Sequence, residues 1–190
     1  GPIETKIYST ERGNQTPNGF KAVRMDLRDS IVREFLDGAV RMASTDKFQR
    51  ATEYEKVFAL LQYVQLTAAW TEAGLHIESS LEYKGLQDVL TAGVGVCRHL
   101  TALLVTVLRE NGFSTANYKI GPVSPLMDHA WVEVRIRDTK SGQEKVFAAD
   151  PSEPQFLKSL EDLTDYATKN PLENVDYSFY TSPNRYTYDP

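Results

Sequence analysis

The stretch Gly93–Arg109 constrains the fold more than any other part of the chain. Leu100, Leu103, Leu104, Val107 and Leu108 fall at i, i+3, i+4, i+7 and i+8, the spacing of one buried helical face. Asn111-Gly112 follows as a helix stop. The glycine-punctuated turn Gly93-Val94-Gly95-Val96 precedes the apolar run, so the only cysteine, Cys97, is predicted at the helix N-terminus. There a thiol meets the positive end of the helix dipole, which favours thiolate. Gly93 and Gly95 are read as permitting backbone conformations closed to other residues and as leaving room for a substrate. The plainer reading is that Cys97 is a small buried hydrophobe, the usual fate of a free cysteine. On this stretch alone the two readings stand level.

Composition narrows the classes. At 190 residues the chain is expected to form one domain over 1–190, with a core near 52–152, a polar segment over 1–25 and an aromatic arm over 170–190. A net charge of -5 and the lack of a Lys/Arg cluster argue against nucleic acid as a partner. One cysteine excludes an internal disulfide framework and a multi-cysteine zinc site; no metal and no cofactor are expected. A lone cysteine suits the cytoplasm and equally a secreted effector. No apolar run reaches the length of a membrane span, no signal peptide is visible, and Gly1-Pro2 resembles the scar of a cleaved tag.

In chain order, Gly13–Gly19 reads as a loop. A first amphipathic helix is expected from Asp26 to Ala43, with Leu27, Ile31, Phe35, Ala39 and Met42 inward. Thr52-Glu53-Tyr54-Glu55 resembles a capping box and opens a second helix to about Thr71, with Val57, Leu60, Leu61, Val64 and Ala68 inward. Residues 73–84 read as irregular, and Leu86–Leu90 as a helical turn before the Cys97 segment. Ser114–Ile120 is β-like and Gly121–Pro125 a stiff loop. His129–Arg137 alternates, with Ala130, Val132, Val134 and Ile136 on one face and His129, Trp131, Glu133, Arg135 and Arg137 on the other. Asp138–Gly142 is a turn and Glu144–Asp150 the return strand, stopped by Pro151. A last helix spans Leu157–Thr168. The tail beyond Asn174, with Tyr177, Phe179, Tyr180, Tyr186 and Tyr188, reads as an arm on the surface rather than a partner-binding strip.

A thiol nucleophile needs a base within hydrogen-bond reach, and the base needs an orienting group. His99, two residues after Cys97, points away from the thiol on a helix and reads as a surface residue or one standing behind the site. His76 has no partner pattern. His129 opens a strand, a rigid position. A hairpin register pairing Arg137 with Gly142 also pairs His129 with Asp150, whose carboxylate would hold one imidazole nitrogen and leave the other for Cys97. Asp128 precedes His129 and should point the other way, and Glu133 sits two strand steps away, so Asp150 is preferred.

Three segments carry a family resemblance: Gly95-Val96-Cys97 at a helix start, His129-Ala130-Trp131-Val132-Glu133-Val134, and Ala149-Asp150-Pro151-Ser152. Together they resemble the core motifs of the transglutaminase-like superfamily, and Gly112–Ala116 is similar as well. The resemblance implies an α+β, papain-like fold with a nucleophile helix packed on an antiparallel sheet. It implies Cys97 as nucleophile, His129 as base and Asp150 as orienting carboxylate. Such proteins include cross-linkers, glutamine deamidases, cysteine proteases, peptide-N-glycanases and inactive binding domains. The Arg-Gly-Gly motif of arylamine N-acetyltransferases is missing before Cys97, as are the zinc-binding cysteines of the glycanases. A protein or peptide substrate is therefore expected, attacked through a Cys97 thioester. The alternative from another class is an inactive fold serving as an interaction module. The Cys97 backbone N–H is one candidate oxyanion donor, with Trp70 or Gln62 as a second, and Trp131 is read as a packing wall.

Overall fold

The computed structural model describes residues 5–10, 23–124, 127–169 and 177–189. The expected loop over Gly13–Gly19 and the Gly1-Pro2 scar lie outside them. Two strands open the chain, β1 (Thr5–Thr10) and β2 (Val23–Asp26), where only a polar segment was expected. Helix α1 (Ser30–Ala43) starts four residues later than its apolar spacing suggests, because the Asp29 carboxylate accepts from the Ile31 and Val32 N–H groups and caps it there. Its inward stripe is accordingly Val32, Phe35, Leu36, Ala39 and Ala43, while Ile31 faces outward. A single turn, α2 (Asp46–Gln49), leads to α3 (Glu53–Thr67). The capping box forms as read: Thr52 Oγ1 accepts from Glu55 N–H, and Glu55 Oε1 from Thr52 N–H.

A two-residue strand, β3 (Ala69–Trp70), follows. The segment expected to be irregular then holds α4 (Ala73–Ser79), and α5 (Leu86–Ala92) lengthens the predicted turn. Strand β4 (Val94–Gly95) pairs in parallel with β3 and feeds α6 (Cys97–Glu110). Leu100, Leu103, Leu104, Val107 and Leu108 are buried, and so are Thr101, Ala102, Val105 and Thr106, so α6 is enclosed beyond the single face the spacing indicates. Full burial of each leucine contributes about 2 kcal/mol. The buried Thr106 hydroxyl satisfies itself on the Ala102 carbonyl.

The β part comprises β5 (Asn117–Ser124), β6 (Met127–Arg137), β7 (Glu144–Asp150), β8 (Phe156–Ser159) and, after α7 (Leu160–Lys169) and a 3-10 turn at Ser178–Thr181, β9 (Tyr186–Asp189). Strand β5 runs through Gly121 and Pro122, where a loop was expected. The proline fits because it lies beside a register shift, past the last residue of β5 that pairs with β9. Residues 157–159 extend a strand rather than begin the last helix. Apart from the β3–β4 pair, the described strands form a seven-stranded antiparallel sheet in the order β2-β1-β9-β5-β6-β7-β8.

One sheet face, with Tyr118, Ile120, Ala130, Val132, Val134, Ile136, Phe147 and Ala149, packs on α1, α3, α5 and α6 to form the main core. The opposite face of β6, which alternation marks as polar, is covered as well. Trp131, Ala148, Phe156, Leu163 and Tyr180 make a second cluster there. The α+β architecture is thus an enclosed helix lying on an antiparallel sheet. Among the described residues no helix is long and apolar enough to cross a membrane.

Candidate active site

Cys97 is delivered by a short backbone lock. Ala69 N–H donates to Gly93 O at 3.0 Å and Thr71 N–H to Gly95 O at 2.9 Å, so the turn before α6 is pinned to the strand after α3. Gly93 has φ +73°, a left-handed conformation that favours glycine. Gly95 is needed for packing and not for substrate access: a Cβ there would lie 3.1 Å from both His99 Cβ and Val89 Cγ1. From α4, Gly74 presses on the same turn, where a Cβ would sit 2.6 Å from the Gly95 carbonyl carbon.

His99 is buried, at 1% exposure, which decides between its two readings against the surface and for a place behind the site. Its Nδ1 accepts the Val96 N–H at 3.2 Å, and its Nε2 lies 3.0 Å from Glu78 Oε2. The Arg98 guanidinium donates to the same Glu78 oxygen, and the Arg98 carbonyl accepts from Tyr118 O–H at 2.8 Å. Burial alone would raise the Glu78 pKa, but its hydrogen bonds and charge pairing with His99 and Arg98 bring it down to about 2. With Nδ1 accepting a backbone N–H, the His99 proton sits on Nε2 facing Glu78. Both nitrogens are engaged, and the ring braces the turn behind the cysteine.

His129 and Asp150 meet at the end of the β6–β7 hairpin. The register differs by two residues from the expected one: Arg137 lies opposite Glu144, not Gly142. Continued to the strand end, it sets Asp150 opposite Trp131 rather than opposite His129. Because the offset is even, His129 and Asp150 keep a common face and meet on the diagonal. The imidazole Nε2 is 2.6 Å from Asp150 Oδ2. Asp150 is wholly buried, and its Oδ1 accepts the Ser152 N–H at 2.9 Å. The half-buried Cys97 thiol opens α6 and acts electrostatically on the same imidazole. Burial disfavours the imidazolium, but the Asp150 carboxylate, its hydrogen bond and the Cys97 sulfur outweigh it and push the His129 pKa up to about 10.

The rival residues are engaged elsewhere. Glu133 Oε2 accepts from Arg185 Nε at 2.7 Å, Asp128 Oδ2 accepts from Tyr186 O–H at 3.3 Å, and His76 is exposed on α4. Trp131 is buried and its ring stacks on His129 with centroids 6.1 Å apart. Trp70, opposite Gly95 in the parallel pair, is 49% exposed. It lines a cleft of about 490 Å³ with Gln62, Leu66 and the loop from Pro151 to Gln155. Neither Trp70 nor Gln62 is hydrogen-bonded to Cys97 or His129. A larger cleft, about 880 Å³, lies between α2 and α3 and is lined by none of Cys97, His129 and Asp150. Among the described residues no cluster of His, Cys, Asp or Glu is arranged to hold a metal.

Tyr180 was not expected at the site. Its hydroxyl donates to Asp150 Oδ2 at 2.5 Å, and Phe179 sets its ring edge against His129 with centroids 5.7 Å apart. No local spacing marks either residue, since both come from a segment that reaches the sheet from about 30 positions downstream of Asp150. The run of aromatics in the tail was the one available sign.

Comparison with known proteins follows the same lines. A family model described as the transglutaminase-like superfamily matches residues 43–147, a span that takes in Cys97 and His129 and ends before Asp150. Among curated proteins none matches the chain. Two solved structures resemble it weakly. A TGase is 15% identical, with 64% of this chain and 30% of that chain covered at a TM-score of 0.42. A candidate cysteine protease from Cytophaga hutchinsonii is 16% identical, with 84% and 66% covered at a TM-score of 0.42. The chain therefore spans less than a third of the first and about two thirds of the second.

Proposed function

The chain belongs to the transglutaminase-like superfamily, and from that premise we propose that it is a thiol enzyme acting on protein or peptide amides. The observation that carries the reading is the 2.6 Å contact of His129 Nε2 with the buried Asp150 carboxylate, on an imidazole that the Cys97 sulfur also acts on. Cys97 sulfur attacks the amide carbonyl and forms the S–C bond, while the carbonyl electron pair moves to oxygen. The Cys97 backbone N–H, one of the first N–H groups of α6 and without an intrahelical acceptor, faces that charge. When the tetrahedral species collapses, the C–N bond breaks and the His129 proton passes to the departing nitrogen. A thioester remains and His129 is neutral.

In the second half, His129 takes a proton from water or from a lysine amine as that nucleophile attacks the thioester. The C–S bond then breaks, restoring the sulfur and the imidazolium. Water gives cleavage or deamidation, and an amine gives an isopeptide cross-link. Asp150 holds the ring throughout and keeps its charge. Trp70 and Gln62, in the cleft beside the Asp150 loop, are suited to contact the substrate flanking the scissile amide.

The test is mass spectrometry of a proteome incubated with the wild type and with Cys97→Ala. New peptide termini identify a protease, Gln→Glu conversion a deamidase, and Gln–Lys adducts a cross-linker. Identical spectra for the two proteins overturn the enzymatic reading and leave the fold as an interaction module.

A further inference from the structure

The buried face of the sheet holds a hydroxyl that the reaction above does not use. Tyr180 is 1% exposed and is wrapped by Phe156, Phe179 and Trp131, with ring centroids at 4.8, 4.1 and 5.1 Å. A phenylalanine would fill this aromatic box as well as a tyrosine. Burying the hydroxyl is costly unless it is paired, and its partner is Asp150 Oδ2, the oxygen that also holds His129 Nε2. Ser152 N–H occupies the other carboxylate oxygen. The carboxylate is thus fixed by one donor on each oxygen before the imidazole is counted, and it is closed off from water.

We propose that Tyr180 is a positioning residue of this site, whose hydroxyl aligns Asp150 Oδ2 on His129 and sets how tightly that carboxylate holds the imidazolium. The inference deepens the thiol-enzyme reading and rests on it for its meaning, but its geometry stands without a substrate. Burial and the neighbouring carboxylate hold the Tyr180 hydroxyl protonated well beyond its ordinary range, so it remains a donor wherever the site is charged. A donor on Oδ2 draws carboxylate charge toward itself and away from the ring. Removing that donor concentrates charge on the ring side, and His129 then gives up its proton at higher pH. Strengthening the donor has the reverse effect. A residue that only filled space would move neither.

The experiment is an NMR titration of the His129 imidazole in the free protein, with the signal assigned by its loss in His129→Ala. In Tyr180→Phe the His129 midpoint is expected to rise by about half to one pH unit, about half the worth of one hydrogen bond to a charged group. With 3-fluorotyrosine incorporated at position 180, a more acidic phenol and a stronger donor, the midpoint is expected to fall. Tyr186→Phe serves as the control, since its hydroxyl bonds Asp128 instead, and the midpoint should stay in place. If Tyr180→Phe does not fold, the fluorinated protein alone decides by the sign of its shift. A midpoint that moves no more than in Tyr186→Phe, or that moves in the opposite sense, overturns the proposal. Because no substrate is used, that failure would leave the amide chemistry untouched, and an absence of proteome products would leave this titration untouched.

Discussion

Two histidine–carboxylate pairs lie near Cys97, and they are built differently. His99 with Glu78 and His129 with Asp150 have similar contact distances, 3.0 and 2.6 Å. The difference lies in the nitrogen left over. The remaining nitrogen of His99 is occupied by the Val96 backbone N–H, so the ring is a brace with no lone pair or proton to offer. The His129 imidazole is instead acted on by the Cys97 sulfur as well as by Asp150. A buried histidine beside an acid is therefore not by itself a catalytic sign. What decides is whether the backbone has claimed the second nitrogen.

Substitutions at the two pairs should separate these roles. His129→Ala is expected to lower the rate of amide turnover by about a thousandfold, the scale of a lost general acid–base, even in the molecules that remain folded; steady-state kinetics corrected for the folded fraction check it. Glu78→Ala should act on stability and largely spare turnover. It strips the carboxylate from Arg98 and His99, both largely buried, and should cost about 3 kcal/mol of stability in a urea titration. Turnover by the molecules still folded should drop far less than in His129→Ala.

The pairs should also part company in pH. The raised His129 pKa means its ion pair stabilises fully below the ordinary histidine value of about 6.5. That contribution is lost as pH rises through about 10. The depressed Glu78 pKa works the other way: its contribution is present above the ordinary glutamate range and lost as pH falls through about 2. The melting-temperature gap between wild type and Glu78→Gln should therefore close near that acid limit. The gap for His129→Ala should close in base. The smallest effect belongs to the packing between the two sites: Gly95→Ala, crowding His99 and Val89 at 3.1 Å, should cost about 1 kcal/mol and slow alkylation of Cys97 only slightly.

The helical half of the site was legible because its signals are local. The heptad-like leucines and the glycine turn specify α6 to its first residue, and Thr52 and Glu55 specify the start of α3 by a reciprocal cap. The hairpin was legible in its strands and in which face His129 and Asp150 share, but not in register, which depends on how Asp138–Gln143 turns. Alternation divides the two faces of β6 but says nothing of what covers the outer one, because what covers Trp131 comes from Phe156, Leu163 and Tyr180. Strands β1, β2 and β9 were missed for the same reason. Each is short, and the partners of β9 lie near residues 10 and 119, separations at which spacing carries no information. His99 was left between the surface and a place behind the site because its partner, Glu78, sits in α4, a helix without a capping side chain to announce it.

Cys97 reactivity is the most direct measure of the Cys97–His129 pair. Iodoacetamide alkylation should be followed near pH 6 in the wild type and in His129→Ala. A wild-type rate at least about tenfold above the variant is expected where an imidazolium adjoins the sulfur. Equal rates in the two proteins would contradict it.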